Sequence, residues 1–210
     1  MKISYGVTVC KEREEIKILL PFLIKNKRPE DEIVVLQDTR DFDDTAKEIL
    51  EYCRELGVVH LHDSFNNDFA AWKNKLNSFC MGDWIVQLDA DECPNENFMK
   101  YLPAVLEENP NLDLILVSRH NTVEGVTEED IKNWGWVVTP SSSGKHLINW
   151  PDWQTRIYKN GLNWKGKVHE RIEGFVEYAK LPTGLYLNHA KTIEKQRQQN
   201  QLYTKLLKNG

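Results

Sequence analysis

The sequence predicts an α/β fold in which a mostly parallel central sheet is covered by helices on both faces. Apolar strand-like runs alternate with amphipathic helical segments through the first 119 residues. The strand-like runs are nearly continuous in apolar residues, as strands buried on both faces of a parallel sheet are. The chain has 210 residues, 40% of them hydrophobic, which is enough for the core of one good-sized domain.

The elements of the first half follow in order. Strands are predicted at residues 4–9, 32–37, 58–61, 84–88 and 112–118, where apolar and β-branched residues cluster. Apolar residues at helical spacing indicate the first helix: Ile16, Leu19, Leu20 and Leu23. Three more helices are predicted at residues 43–56, 68–81 and 95–109, and glycines follow the first two of these as stop signals.

The pattern changes after residue 119. Residues 120–145 are expected to form a mobile loop, with a short helix near residues 128–133, that could close over a ligand as a lid. Residues 146–190 contain short strand-like pieces, and a basic amphipathic helix is predicted at residues 192–208. We therefore divide one domain into a ligand-binding half (1–119) and a second half (120–190), followed by the terminal segment (191–210).

Composition limits the class of protein. Acidic residues number 32 and basic residues 27, so the net charge is −5, which argues against nucleic acid as the main partner. No apolar run approaches the ~20 residues of a membrane span, and the first residues lack the features of a secretory signal. The four cysteines have no metal-ligand spacing and are expected to be reduced thiols. The expected compartment is the cytoplasm.

Two aspartates, Asp89 and Asp91, directly follow the predicted strand at residues 84–88. In a parallel sheet, ligands bind at the carboxyl ends of the strands, so we expect them to converge with the polar clusters at residues 11–12 and 38–39. Together with Glu92 they concentrate negative charge that Mg²⁺ or Mn²⁺ would offset. The alternative is a solvated acidic turn that caps a helix. His189 ends a late strand and is either a nitrogen ligand or a structural histidine.

Other motifs are absent from the sequence. It has no GxGxxG, no phosphate loop and no nucleophile elbow, which argues against nicotinamide enzymes, P-loop NTPases and serine hydrolases. A second acidic triplet, residues 41–43, is interpreted as the start of a helix. Three tryptophans, Trp150, Trp153 and Trp164, are expected either to stack on sugar rings or to lie in the core beneath a loop.

The order of these motifs resembles the nucleotide-sugar glycosyltransferases of the GT-A (Rossmann-like) fold, most closely family 2. The resemblance covers residues 3–190 and is carried by segments 68–74 (DFAAWKN), 82–85 (GDWI) and 88–92 (LDADE). Segments 150–158 (WPDWQTRIY) and 166–170 (GKVHE) resemble the branch that contains lipopolysaccharide-core glucosyltransferases. This resemblance implies a donor that is a nucleoside-diphosphate sugar, with UDP the expected nucleotide.

The resemblance also implies roles for individual residues. Donor-binding residues would be Cys10, Glu12, Asp38, Lys73 and Asp89, where Lys73 replaces the usual arginine and keeps its charge without its bidentate geometry. Asp91 would coordinate Mn²⁺ or Mg²⁺, with Asp89 and His189 completing that site. Glu170 would be the base that deprotonates the acceptor hydroxyl for an inverting attack, and Asp152 is its rival.

Two alternatives remain open at this point. A sugar nucleotidyltransferase would share the metal-carboxylate site, although the glycine-rich basic loop it needs after the first strand is missing. A non-catalytic carbohydrate-binding module would use the tryptophans and bind glycan without metal. For a transferase, the acceptor would be a glycan, a lipid-linked sugar or another hydroxyl compound.

Overall fold

The structure, a computed structural model, describes residues 1–140 and 146–208, with side chains as far as residue 201. The helices are α1 (Arg13–Asn26), α2 (Asp44–Glu55), α3 (Phe69–Asn77), α4 (Glu96–Glu108), α5 (Glu128–Trp134) and α6 (Ile193–Lys208). The strands are β1 (Ile3–Val9), β2 (Glu32–Asp38), β3 (Val59–Asp63), β4 (Trp84–Asp89), β5 (Glu92–Pro94), β6 (Leu114–Glu124), β7 (Val138–Pro140), β8 (His146–Ile148), β9 (Asp152–Lys159), β10 (Asn163–Lys165), β11 (Arg171–Glu173), β12 (Tyr178–Lys180) and β13 (Tyr186–Thr192).

One large sheet runs in the order β3-β2-β1-β4-β9-β6-β13-β5, with β12 beside β6. Strands β1 to β4 pair in parallel, as predicted. Strand β9 then enters antiparallel between β4 and β6, and β5 is antiparallel to β13. The α/β class is confirmed, but the sheet is mixed: "mostly parallel" describes its first half. Strand β6 runs through residue 119, where it pairs with β9 on one side and β13 on the other, so the sheet continues past this position.

Helices cover both faces of the sheet. One core cluster packs α1, α2 and α4 against one face, and its members on these helices include six fully buried residues: Ile16, Leu19, Leu20, Leu23, Ile49 and Phe98. The second cluster packs α3 against the other face, and includes Leu76, Tyr158, Trp164 and Ile172. None of the described helices is long and apolar enough to cross a membrane.

The prediction of a loop at residues 120–145 is wrong for the first five of these residues. Residues 120–124 continue strand β6, because Asn188–Thr192 of β13 pair with them in parallel. The short helix is confirmed as α5, whose N-cap residue Thr127 forms a capping box with Asp130. The serine-rich stretch of the expected lid, residues 141–145, lies outside the described residues.

The sequence predicts a third helix up to residue 81 with Gly82 as its stop signal, but α3 ends four residues earlier, at Asn77. The backbone of Gly82 instead lies against β1, where its N–H donates to Ser4 Oγ (2.8 Å). A Cβ atom on Gly82 would lie 2.6 Å from the backbone nitrogen of Ser4. Glycine is required at this position because the two backbones approach too closely for a side chain.

A β-bulge in β9 turns the side chain of Arg156 into the interior. Ile115 and Leu116 on β6 pair with Ile157 and Thr155, which leaves Arg156 as the extra residue. Its guanidinium binds Glu92, with Nε–Oε2 at 2.7 Å and Nη2–Oε1 at 2.8 Å. The side chain of Glu92 is fully buried, and Arg119 Nη1 approaches its Oε1 to 3.0 Å. Arginines therefore neutralise Glu92, which leaves Asp89 and Asp91 as the carboxylates of this segment to be considered for a cation.

Gly82→Ala should lower the free energy of unfolding by ~1–3 kcal/mol, because the added methyl group forces β1 and the loop before β4 apart. Urea unfolding followed by circular dichroism measures this change. Gly184→Ala is the matched control, since a Cβ there meets no atom within 4 Å. Equal losses in the two variants would contradict the close approach.

Arg156→Met should cost ~3–5 kcal/mol of stability, because it leaves the buried carboxylate of Glu92 without its bidentate partner. The double variant Arg156→Met/Glu92→Met should be more stable than the single variant, since it no longer buries that carboxylate. Chemical unfolding of the three proteins tests both expectations. A single variant as stable as the wild type would mean that the ion pair contributes nothing.

Candidate active site

The polar residues that end β1, β2 and β4 lie together at one edge of the sheet, where the sequence placed them. Thr8 at the end of β1 donates to Asp89 Oδ1 (2.9 Å), and Cys10 Sγ approaches Asp38 Oδ2 at 3.5 Å. These contacts follow from parallel pairing, which aligns Thr8 with Asp89 across β1 and β4. Neighbouring strands therefore bring two carboxylates, Asp38 and Asp89, to the same edge of the sheet.

Asp89 is held by cations as well as by hydrogen bonds. Arg156 Nη2 lies 2.8 Å from its Oδ2, and Gln87 Nε2 donates to its Oδ1 at 3.1 Å. Burial alone would raise the pKa of this carboxyl, but the charges of Arg156 and Lys73 more than offset burial and hold the pKa below its ordinary value. Asp89 is thus an ionised, fixed acceptor at neutral pH.

Asp91 lies in the turn after β4 and faces strand β13. Its Oδ2 is 3.5 Å from His189 Nε2 and 3.4 Å from Lys191 Nζ. Burial alone would raise the pKa of Asp91, but the hydrogen bond with His189 and the charge of Lys191 lower it to about 2. The register of the sheet explains the meeting, since β5 pairs antiparallel with β13 and sets His189 opposite Glu92.

A second residue orients His189. Its Nδ1 lies 2.6 Å from Asn121 Oδ1, and Asn121 Nδ2 donates to Asp152 Oδ2 (2.8 Å). Because a carboxylate only accepts, Asp152 fixes the amide of Asn121 with its oxygen toward the imidazole. Nδ1–H then donates to that oxygen, and Nε2 is the nitrogen that faces Asp91. Sequence reasoning missed Asn121, whose partners are 31 and 68 residues away.

Asp91 and His189 supply a donor set that fits a hard divalent cation. A carboxylate oxygen and an imidazole nitrogen face each other, and Mn²⁺ accepts both kinds of ligand. No group of three or more His, Cys, Asp and Glu side chains within the described residues is arranged to hold a metal. Water and substrate oxygens would complete such a site, as is usual for Mg²⁺. Asp89, the third expected ligand, has both oxygens engaged by Arg156, Gln87 and Thr8.

Asp38 is buried and satisfied by protein groups. Arg40 Nε donates to its Oδ2 (2.7 Å), and the backbone N–H of Phe65 donates to its Oδ1 (3.0 Å). The guanidinium of Arg40 also lies over the Phe65 ring, 4.8 Å from its centroid. Burial and then the charge of Asp38 raise the pKa of the Cys10 thiol to about 12, so this cysteine is neutral. Sequence reasoning missed Arg40, which binds the carboxylate of Asp38 that was expected to contact the donor.

Glu12 closes the loop that follows β1. Its Oε2 accepts from the backbone N–H groups of Cys10 (2.7 Å) and Lys11 (3.0 Å). Burial raises the pKa of Glu12, and the charge of Asp91 adds to this effect. The side chain therefore shapes the loop and lies within electrostatic reach of Asp91.

Lys73 and Glu170, 97 residues apart, form an ion pair with Nζ–Oε1 at 2.6 Å. Lys73 is buried on α3, and its ammonium lies 4.2 Å from the ring centroid of Trp164. Burial lowers the pKa of Lys73. The backbone N–H of Phe69 also donates to Lys167 O (3.0 Å), so α3 holds the loop that carries Glu170.

Asp152, the alternative to Glu170 as the base, accepts hydrogen bonds from three side chains of the protein. It accepts from Arg119 Nε (2.8 Å), Asn121 Nδ2 (2.8 Å) and Gln154 Nε2 (2.7 Å). Burial alone would raise its pKa, but the charge of Arg119 and these hydrogen bonds lower it. These contacts give Asp152 a role in holding Asn121 and Arg119.

Of the two alternatives for the three tryptophans, Trp164 follows the core one, so its assignment to the acceptor is wrong. Its side chain is buried, and Nε1–H donates to the Tyr158 hydroxyl (3.1 Å). Trp150 packs edge-on against His120, and Trp153 lies under the ammonium of Lys180. Both are half-buried, so their assignment to the acceptor stays a prediction.

Known proteins resemble this chain at the level of family and fold. The model for glycosyl transferase family 2 matches residues 4–177. The crystal structure of S. aureus TarS 1-349 superposes with a TM-score of 0.58 at 20% identity, over 90% of this chain and 60% of that one. Its complex with UDP superposes with a TM-score of 0.61 at 18% identity, over 90% of this chain and 60% of that one. Its complex with UDP-GlcNAc superposes with a TM-score of 0.56 at 19% identity, over 91% of this chain and 59% of that one.

No curated protein matches the chain in sequence. The identity to TarS is low enough that the likeness establishes the fold alone, and the chain spans about three fifths of the length of TarS 1-349. The GT-A fold that the sequence implied is confirmed by these superpositions. Because the family model matches most of its length, the chain belongs to glycosyl transferase family 2 and carries a glycosyltransferase domain.

Proposed function

We propose that this protein is a metal-dependent inverting glycosyltransferase that moves a sugar from a UDP-sugar to an acceptor hydroxyl. The observation that carries the proposal is the meeting of Asp91 and His189 at the carboxyl edge of the sheet. The similarity of the fold to TarS, solved with UDP and UDP-GlcNAc, supports the choice of nucleotide. The segments at 150–158 and 166–170 favour the branch with lipopolysaccharide-core glucosyltransferases.

Asp91 and His189 would hold Mn²⁺ or Mg²⁺. The cation, when bound, would neutralise charge on the departing diphosphate. Arg156 fixes Asp89 next to this pair, and the Oδ2 atom that accepts from Arg156 would accept a second hydrogen bond from the ribose of the donor. Arg40 would have to release Asp38 for that carboxylate to bind the base, or else would contact the base itself.

Glu170 would take the proton from the acceptor hydroxyl. A base must lie within hydrogen-bond reach of that proton, and the loop of Glu170 is held to α3 by Lys73 and Phe69. In-line attack on the face opposite the diphosphate would invert the anomeric configuration. Trp150 and Trp153 would supply apolar surface to a glycan, a lipid-linked sugar or another hydroxyl acceptor.

The metal assignment predicts that Asp91→Asn abolishes Mn²⁺-dependent binding of UDP while the protein remains folded. The substitution keeps the size of the side chain and removes the charge that a cation needs. His189→Ala should weaken the same binding. Isothermal titration calorimetry of UDP with and without Mn²⁺ measures both effects.

Asp43→Asn is the control for the loss of an aspartate. Asp43 caps α2 by accepting from the N–H of Ala46, which an asparagine can also do. UDP binding by this variant should match the wild type. Full Mn²⁺-dependent binding by Asp91→Asn would refute the metal assignment.

The base assignment predicts that Glu170→Gln lowers turnover by ~10²–10⁴-fold and leaves donor affinity nearly unchanged. Rates are compared at saturating donor with one acceptor, and UDP affinity is measured separately. Asp152→Asn should disturb the hydrogen bonds to Asn121 and Arg119, and should therefore change metal and donor binding. Normal turnover in Glu170→Gln, together with turnover lost in Asp152→Asn at unchanged metal and donor affinity, would transfer the role of base to Asp152.

A further inference from the structure

A lysine outside the expected ligand set approaches the same oxygen as His189. Lys191 Nζ lies 3.4 Å from Asp91 Oδ2, and His189 Nε2 lies 3.5 Å from it. The two residues are neighbours on one face of β13, because side chains alternate along a strand. Only 10% of the Lys191 side chain is exposed. Asp91 therefore already has a cationic partner from the protein.

Lys191 also has a second partner, on α6. Its Nζ donates to Gln199 Oε1 (2.9 Å). The ammonium thus lies between a carboxylate in the site and an amide oxygen on the terminal helix. A shift away from Asp91 would leave Lys191 bonded to Gln199.

A divalent cation bound to Asp91 and His189 would be repelled by this ammonium, because both cations would share one carboxylate oxygen in a mostly buried site. Binding the metal alone must therefore displace Lys191 from Asp91. A nucleoside diphosphate changes this balance, since its oxygens carry negative charge that an ammonium and a metal can neutralise together.

We propose that Lys191 is an internal cation that makes metal and nucleotide binding depend on each other. It occupies Asp91 when the site is empty, which weakens binding of metal alone, and it moves to the diphosphate when donor and metal bind together. By linkage, the factor by which UDP strengthens metal binding equals the factor by which metal strengthens UDP binding. This inference rests on the proposed function, in that Asp91 and His189 hold the metal.

The test is the affinity for Mn²⁺, measured by calorimetry at neutral pH with and without saturating UDP. Lys191→Met should bind Mn²⁺ alone about tenfold more tightly than the wild type, because the competing charge is gone. With saturating UDP the variant and the wild type should bind Mn²⁺ with similar affinity, because the diphosphate then draws the ammonium away from Asp91 and the competition is gone in both proteins. Ordinary ligand loss, as in His189→Ala, would weaken metal binding under both conditions.

Two variants control the measurement. Lys191→Arg keeps the positive charge and should retain the weak binding of Mn²⁺ alone. Lys195→Met removes an ammonium four residues later, where the partner is Glu15 on α1, and should behave as the wild type. Lys191→Gln replaces Lys191→Met if the methionine variant does not fold.

The outcomes separate the two proposals. If the wild type binds Mn²⁺ with UDP, and neutral variants at Lys191 bind Mn²⁺ alone no more tightly than the wild type, the role of Lys191 is refuted and the metal site stands. If the wild type binds no Mn²⁺ even with UDP, both the metal site and the coupling are refuted. Tighter binding of Mn²⁺ alone in Lys191→Met and Lys191→Gln, but not in Lys191→Arg, supports the proposal.

Discussion

The buried ion pair between Arg156 and Glu92 is the interaction on which the site depends. Two charges removed from water are tolerated only when geometry and hydrogen bonds satisfy them, and here the guanidinium makes two bonds to one carboxylate and a third to Asp89. The bulge in β9 gives Arg156 this direction. Because Glu92 begins β5 and Asp89 ends β4, one guanidinium fixes both ends of the turn that carries Asp91.

The pairing of β5 with β13 brings distant parts of the chain together. Strand β5 is three residues long, yet it sets Glu92 opposite His189 on β13. A residue near position 190 thereby reaches a turn near position 90, and Asn121 on the neighbouring strand β6 orients its imidazole. A chain of hydrogen bonds continues around the site: Glu92 contacts Arg119, Arg119 contacts Asp152, and Asp152 contacts Asn121.

The first half of the fold could be predicted because its strands and helices carry regular apolar patterns. Strand β9 could not, since several of its inward side chains are polar and only their partners make them fit a core: Arg156 with Glu92, Asp152 with Arg119. Asp89, Asp91 and His189 could be proposed from strand ends and from family resemblance. Neither spacing nor residue type indicates the contacts of Asn121, Arg40 and Lys191. Trp164 has the residue type of a sugar-binding side chain, but its burial places it in the core.

The attachment of α3 to the loop of Glu170 has a consequence for engineering. Phe69 and Lys73 bind this loop at two points, and Asn74 exchanges hydrogen bonds with the backbone of Trp164 at the start of the same excursion. A chimera that imports only residues 163–173 from another enzyme would separate these surfaces. Grafts of this loop should therefore transfer α3 and residues 163–173 as one unit.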